Sequence, residues 1–269
     1  MKRTRTALPG ATRAAPWYWA VAGMVLGGAL VLLWQAPARW LASGLAQASG
    51  ERVLLAQAQG SVWSGTARLL LTGGAGSRDR AALPGRVHWR LRPAWPGLMV
   101  RLHADCCTPD GPLELRLMAR WSGLQLQLAD GQTVWPAAVL AGLGTPFNTI
   151  QPRGELTLAT QGLRIDWLAG RVRMAGTASL TARDVSSRLT TLQPMGSYRL
   201  QLYGGEPVSI ELSTLEGALR LAGRGQWAPG AQPRFRGEAS AAPGLEAQLA
   251  NLLNILGQRR GDRAILSFG

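Results

Sequence analysis

The chain has 269 residues, of which 46% are apolar and 16% charged, with 34 Gly, 16 Pro and 2 Cys. That length supports a sizeable core without a disulfide framework, and two cysteines exclude structural zinc fingers and Cys-rich iron–sulfur sites. The formal charge is +14, but it comes from scattered arginines and the lone Lys2, with no run longer than a pair such as Arg259-Arg260, which argues against nucleic acid as a partner.

The first element is the clearest. Lys2, Arg3, Arg5 and Arg13 precede the uncharged stretch WYWAVAGMVLGGALVLLW, residues 17–34, which reads as a transmembrane helix. At about 1.5 Å per residue it spans roughly 27 Å, close to the ~30 Å hydrocarbon thickness. Trp17, Tyr18, Trp19 and Trp34 stand at its ends, where aromatic side chains anchor in the interface. The basic residues set the topology: residues 1–16 stay in the cytoplasm and the bulk of the chain lies outside it. A cleavable signal is the competing reading, since Ala46-Gln47-Ala48 has the small-x-small form. However, that triplet lies well past an apolar run that is itself longer than a usual signal core. The reading is therefore a single-pass anchor.

Residues 35–52 form a membrane-proximal linker, in which 38–48 continues as a short helix. From Val53 the pattern alternates with period two, the signature of strands with one apolar and one polar face. Leu113, Leu115 and Leu117 alternate with Glu114 and Arg116; Leu124, Leu126 and Leu128 with Gln125 and Gln127. The same rhythm returns at Leu156/Leu158, at Tyr198/Leu200/Leu202, at Ile210/Leu212 and at Leu219/Leu221. Gly73-Gly74, Asp110-Gly111, Asp130-Gly131, Gly204-Gly205 and Pro229-Gly230 punctuate it as turns. The spacing predicts about twelve strands. The absence of a strand–helix–strand rhythm argues against a doubly wound fold. Two short helices interrupt the strands: 137–143 after Trp135-Pro136, and 245–256, where Leu245, Leu249, Leu252, Leu253 and Leu256 share one face between Pro243 and Gly257. A closing strand follows at 264–268. The fold class is mainly β: a transmembrane helix, then a large antiparallel sheet over 53–269, curved and open or partly closed into a barrel.

Trp63-Ser64-Gly65 is echoed by Trp121-Ser122-Gly123 and, more loosely, by Asp166–Gly170. This is either a repeated hairpin unit or chance in a Leu-, Arg- and Gly-rich chain. Trp63, Trp89, Trp95, Trp121, Trp135, Trp167 and Trp227 fall in or beside strands, where core filling is expected rather than a binding platform.

Groups for catalysis are sparse. His88 and His103 are the only histidines, and no HExxH, GxSxG or P-loop pattern occurs. No catalytic residue, metal or cofactor is expected. The one unusual cluster is His103-Ala104-Asp105-Cys106-Cys107. Neighbouring Cα atoms sit about 3.8 Å apart, below the usual disulfide range. Three readings stand: an ordinary loop, a strained vicinal or intermolecular disulfide of Cys106 and Cys107, and a metal site short of ligands.

In order along the chain come the basic N-terminus and apolar helix, then Gly60-Ser61-Val62-Trp63-Ser64-Gly65. Trp89-Arg90-Leu91-Arg92-Pro93 follows, then the strands Gly154–Leu158 and Gly217–Gly223, and last Gly257 and Gly261-Asp262. This ordered set resembles the type II secretion system protein N family, also called general secretion pathway protein N. The adjacent cysteines have no place in that pattern. The resemblance implies an inner-membrane accessory of protein export with a periplasmic β domain and no enzymatic activity. Its implied partners are the inner-membrane platform proteins of that system. The chain is also similar, more distantly, to AsmA-like membrane-anchored β proteins, which implies lipid as an alternative partner held by an apolar groove.

Overall fold

The computed structural model describes residues 17–168, 170–228 and 230–269. The chain divides into two compact units, 1–36 and 37–269. In the first, α1 (Trp17–Trp34) is one uninterrupted helix with every side chain exposed. Lys2, Arg3, Arg5 and Arg13 lie outside the described residues.

The second unit opens with α2 (Ala38–Ala48), as the sequence predicts, and continues into strands β1 (Val53–Gly60), β2 (Ser64–Thr72), β3 (Arg80–Ala82), β4 (Val87–Ala94), β5 (Gly97–Ala104), β6 (Leu113–Arg120), β7 (Gly123–Leu128) and β8 (Gly131–Pro136). A 3-10 helix (Ala137–Leu143) and the one-turn helix α3 (Phe147–Ile150) follow. Then come β9 (Arg153–Leu168), β10 (Arg171–Ser186), β11 (Gly196–Gly205), β12 (Val208–Gly217), β13 (Leu219–Trp227), β14 (Arg234–Ala241), helix α4 (Glu246–Leu256), β15 (Gln258–Arg260) and β16 (Arg263–Phe268).

Among the described residues sixteen strands form one antiparallel sheet, in the order β1-β2-β4-β5-β6-β7-β9-β10-β11-β12-β13-β14-β16-β15, with β3 beside β2 and β8 beside β9. The sheet is open, with β1 and β15 as its terminal strands. The sequence predicts about twelve strands; the additional ones are mostly short pieces such as β3 and β15. β9 and β10 run 16 residues each. Their register slips between Ala175 and Thr177, opposite Gly162 at φ +57°. Such a bulge bends the strand and lets Leu163 and Ile165 return to the apolar face.

The register lines up one apolar face across the strands. Trp89 lies opposite Leu102, Leu91 opposite Val100, Leu117 opposite Leu126, and Leu200 opposite Leu212. Helices cover parts of this face. Leu249, Leu252 and Leu253 of α4 are almost wholly buried and pack with Tyr198, Leu219 and Ala239. Each contributes about 1.5–3 kcal/mol by leaving water. The 3-10 helix sends Val139 into a second cluster with Leu83, Val87, Ala104 and Cys107. Ala38 of α2 packs on Ala67 and Trp89.

Trp89, Trp135 and Trp227 pack in or against core clusters as expected, whereas two tryptophans depart from core filling. Trp89 is 4% exposed, but Trp95 and Trp121 are 100% and 107% exposed. Both sit in two-residue hairpin turns, between β4 and β5 and between β6 and β7, where no neighbour can reach over the ring.

Candidate functional site

The segments that the sequence singles out converge where α2 meets the sheet. The turn from Gly60 to Gly65 joins β1 to β2, with Gly60 opposite Gly65. Ser61 N–H donates to the Ser64 carbonyl at 2.8 Å, and Ser64 N–H donates to Ser61 Oγ at 3.2 Å. Pro37, the first residue of this unit, forms an antiparallel bridge with Ser61. The Trp89 indole Nε1–H is shared between the carbonyls of Ser61 and Val62, at 3.2 and 3.1 Å. Leu91 N–H donates to the Trp63 carbonyl at 2.7 Å. One buried ring thus ties the β1–β2 turn to β4. A side chain at Gly65 would collide with that ring.

The other candidate residues lie apart from this junction. Pro93 faces Leu98 near the β4–β5 turn. Gly154 has φ +128° at the start of β9, where a Cβ would meet the Arg183 and Asp184 carbonyls. Gly257 ends α4, and Gly261 with Asp262 makes the turn between β15 and β16. Trp17, Tyr18, Trp19 and Trp34 stand at the ends of α1, with Tyr18 and Trp19 ring centroids 5.9 Å apart.

Cys106 and Cys107 are bonded to each other through sulfur, with Cα atoms 3.7 Å apart. Cys106 is exposed, whereas Cys107 is fully buried. The loop is held by Thr108, whose Oγ1 accepts from Ala104 N–H at 3.0 Å and lies 2.8 Å from His103 Nδ1. Among the described residues no three His, Cys, Asp or Glu side chains gather as metal ligands.

A network that the sequence reading missed lies on the opposite, polar face. His88 pairs across the β4–β5 hairpin with His103, their ring centroids 6.0 Å apart. Counting back from the two-residue turn at 95–96 would have placed 88 opposite 103. His88 Nε2 lies 3.0 Å from Asp105 Oδ1, and Arg86 N–H donates to Asp105 Oδ2 at 2.9 Å. That backbone donor, helped by His88 and partly opposed by desolvation, holds the Asp105 carboxyl below its ordinary range. Arg90 lies opposite Arg101, which pairs with Glu114 at 2.7 Å. His88, Arg90, Arg101 and His103, with Ser64, Thr66 and Pro112, line an open groove of about 500 Å³.

A model of the family described as type II secretion system (T2SS), protein N, matches residues 51–266. The chain belongs to that family. The protein N match begins just before β1 and runs into β16, so it takes in nearly the whole sheet. The β1–β2 turn, Trp89, Gly154, Gly257 and Gly261 all fall within it, and α1 lies outside. No curated protein and no solved structure matches the chain. Membership ties the protein to type II secretion. By length and composition α1 can cross a membrane, which fits a single-pass member of this family.

Proposed function

We propose that this protein is an inner-membrane accessory of the type II secretion system, acting as an assembly component through protein–protein contacts of a periplasmic β domain. The observation that carries the reading is the family match across the sheet. The uncharged α1 supports a single-pass anchor. The orientation, with the N-terminus cytoplasmic, rests on Lys2, Arg3, Arg5 and Arg13 before the helix and no acid ahead of Glu51. The role needs contacts and no catalysis.

The surface offered to the platform proteins is the β1 end of the sheet. Terminal strands accept an added strand through unpaired backbone groups, and charge or brevity blunts them. β15 has three residues, two of them Arg, and is blunted. β1 reads VLLAQAQG without a charge; Val53 N–H already donates to Ser49 Oγ at 3.1 Å, and Leu54–Ala56 pairs regularly with β2 before the bulge. That stretch is the better template.

The test is deletion of the gene, with exported proteins quantified in medium and periplasm. Accumulation in the periplasm, reversed by the wild-type gene, is expected. Unchanged export alongside altered envelope lipid balance or detergent resistance would overturn the reading in favour of lipid handling.

A further inference from the structure

The hairpin turns of the sheet fall on two rims of different character. One rim carries the 3-10 helix, α3, α4, the Cys106-Cys107 loop and the long connection from β10 to β11. The other carries bare connections, at 61–63, 95–96, 121–122, after Leu168, at 206–207 and after Trp227. The registers put them at the same end: Ser64 opposite Arg90, Gly97 opposite Met118, Gly123 opposite Leu168, Met174 opposite Gly205, and Val208 opposite Trp227.

Tryptophan recurs along this second rim, as Trp63, Trp95, Trp121, Trp167 and Trp227. Beside the one connection without it stands Tyr203, 39% exposed. Trp95 and Trp121 are entirely exposed and Trp167 is 40% exposed. Trp135 on the first rim packs against the Val139 cluster, and Trp227 on the second packs against Leu163, Met174 and Val208, so the indoles offered outward are those of Trp95, Trp121 and Trp167. Fully exposed indoles at successive hairpin tips bury nothing within the fold. Their amphipathic rings suit the boundary between water and lipid, where Trp and Tyr concentrate.

The charges of this rim agree. Arg92, Arg120, Arg171 and Arg234 are exposed there. The acids nearby are already engaged: Glu206 with Arg173 at 2.6 Å, and Asp166 with the Gln125 amide at 2.6 Å. The excess is cationic, complementary to anionic phospholipid headgroups. The chain also enters here. Pro37, the first residue of the second unit, bridges to Ser61 on this rim.

We propose that the tryptophan rim rests in a phospholipid headgroup layer, with its arginines on anionic phospholipid. The strands then stand end-on to the bilayer, and the helix-bearing rim points away from it. The inference rests on α1 spanning a membrane, as proposed above.

The test uses the full chain in vesicles of phosphatidylethanolamine and phosphatidylglycerol. Photoreactive benzoylphenylalanine replaces Trp95 or Trp121 and, as a control on the opposite rim, Asp110. After illumination, mass spectrometry distinguishes lipid adducts from protein adducts. Lipid adducts several-fold more abundant at 95 and 121 than at 110 are expected. Equal yields at the three positions, or protein adducts alone at the rim, would overturn the inference. Flotation after an alkaline wash reads the anchor separately. A chain that floats without lipid adducts at 95 and 121 removes the rim contact alone. A chain that does not float removes the anchor and the rim contact with it.

Discussion

The Trp89 ring occupies the space that a side chain on Gly65 would fill, one strand away. The two residues are opposite each other in the β2–β4 register, and the indole is free to reach the Ser61 and Val62 carbonyls only because residue 65 has no Cβ. Gly65→Ala should therefore destabilise the protein by about 1–3 kcal/mol, the usual cost of overpacking. Trp89→Phe should cost a similar ~1–3 kcal/mol by orphaning those carbonyls. Urea unfolding of the detergent-solubilised chain measures both. A Gly65→Ala variant with an unshifted midpoint would show that the ring has room to move.

Tyr198 is 7% exposed, and its hydroxyl has no hydrogen-bond partner among the described residues. Tyr198→Phe should leave stability unchanged or raise it by about 1–2 kcal/mol, since an unsatisfied buried hydroxyl is removed. Burial pushes the phenol well above its ordinary range. The unfolded phenol ionises near pH ~10. The wild type therefore keeps this contribution below about pH 10 and loses it as pH rises further, because only the unfolded chain gives up the proton. The Phe variant should lack that alkaline loss. Urea midpoints on either side of that pH decide the matter, and a clear loss of stability at neutral pH would mean that the hydroxyl is satisfied.

Asp105 supplies the opposite sign. Its carboxyl is held low by the Arg86 N–H and then by His88, so its contribution is present above the unfolded value of ~3.9 and fades as pH falls below it. Asp105→Asn keeps an oxygen for the Arg86 N–H but cannot ionise. The variant should fold normally and show a shallower loss of stability on acidification. Identical acid limbs for the two proteins would remove Asp105 from the account.

The adjacent cysteines should respond unequally. Cys106→Ala is expected to cost less than about 1 kcal/mol, because a link between chain neighbours restrains little of the unfolded chain. Cys107 is fully buried beside Leu83, Val87 and Val139. Cys107→Ser places a hydroxyl there and should cost about 1–3 kcal/mol. Thermal unfolding of both variants reads the difference, and equal costs would assign the effect to the sulfur–sulfur bond instead.

The parts of this fold legible in the sequence are those whose pattern repeats without interruption. α1, α2 and α4 stand out because eighteen uncharged residues, or leucines on one helical face, admit little else. Leu113–Leu117 reads as a strand because charge and leucine alternate strictly. The 16-residue β9 reads as a shorter strand, since Gln161-Gly162 breaks the alternation and the bulge that repairs it is a matter of pairing with β10. β3 and β15 are too short for a period to show. The segment after Pro136 shows its apolar content but not its tighter 3-10 winding. The candidate site divides in the same way. Gly60-Ser61-Val62-Trp63-Ser64-Gly65 is visible as a segment, whereas its clasp by Trp89 depends on a strand partner. Composition alone sends Trp95 and Trp121 to the core; hairpin registers place them at the tips.

The order of the strands has a consequence for how the molecule is made. Most strands lie beside a sequence neighbour already laid down, so a chain delivered N-terminus first can zip its sheet progressively while later residues are still in transit. The exception is the end. β15 pairs only with β16, and β16 is the strand that joins β14. The last two strands must therefore arrive as a finished hairpin, after α4 has crossed beneath them with Leu249, Leu252 and Leu253. Completion of the largest core waits for the final few residues, so a prematurely terminated copy would bear an unsealed apolar face, ready for quality control to recognise.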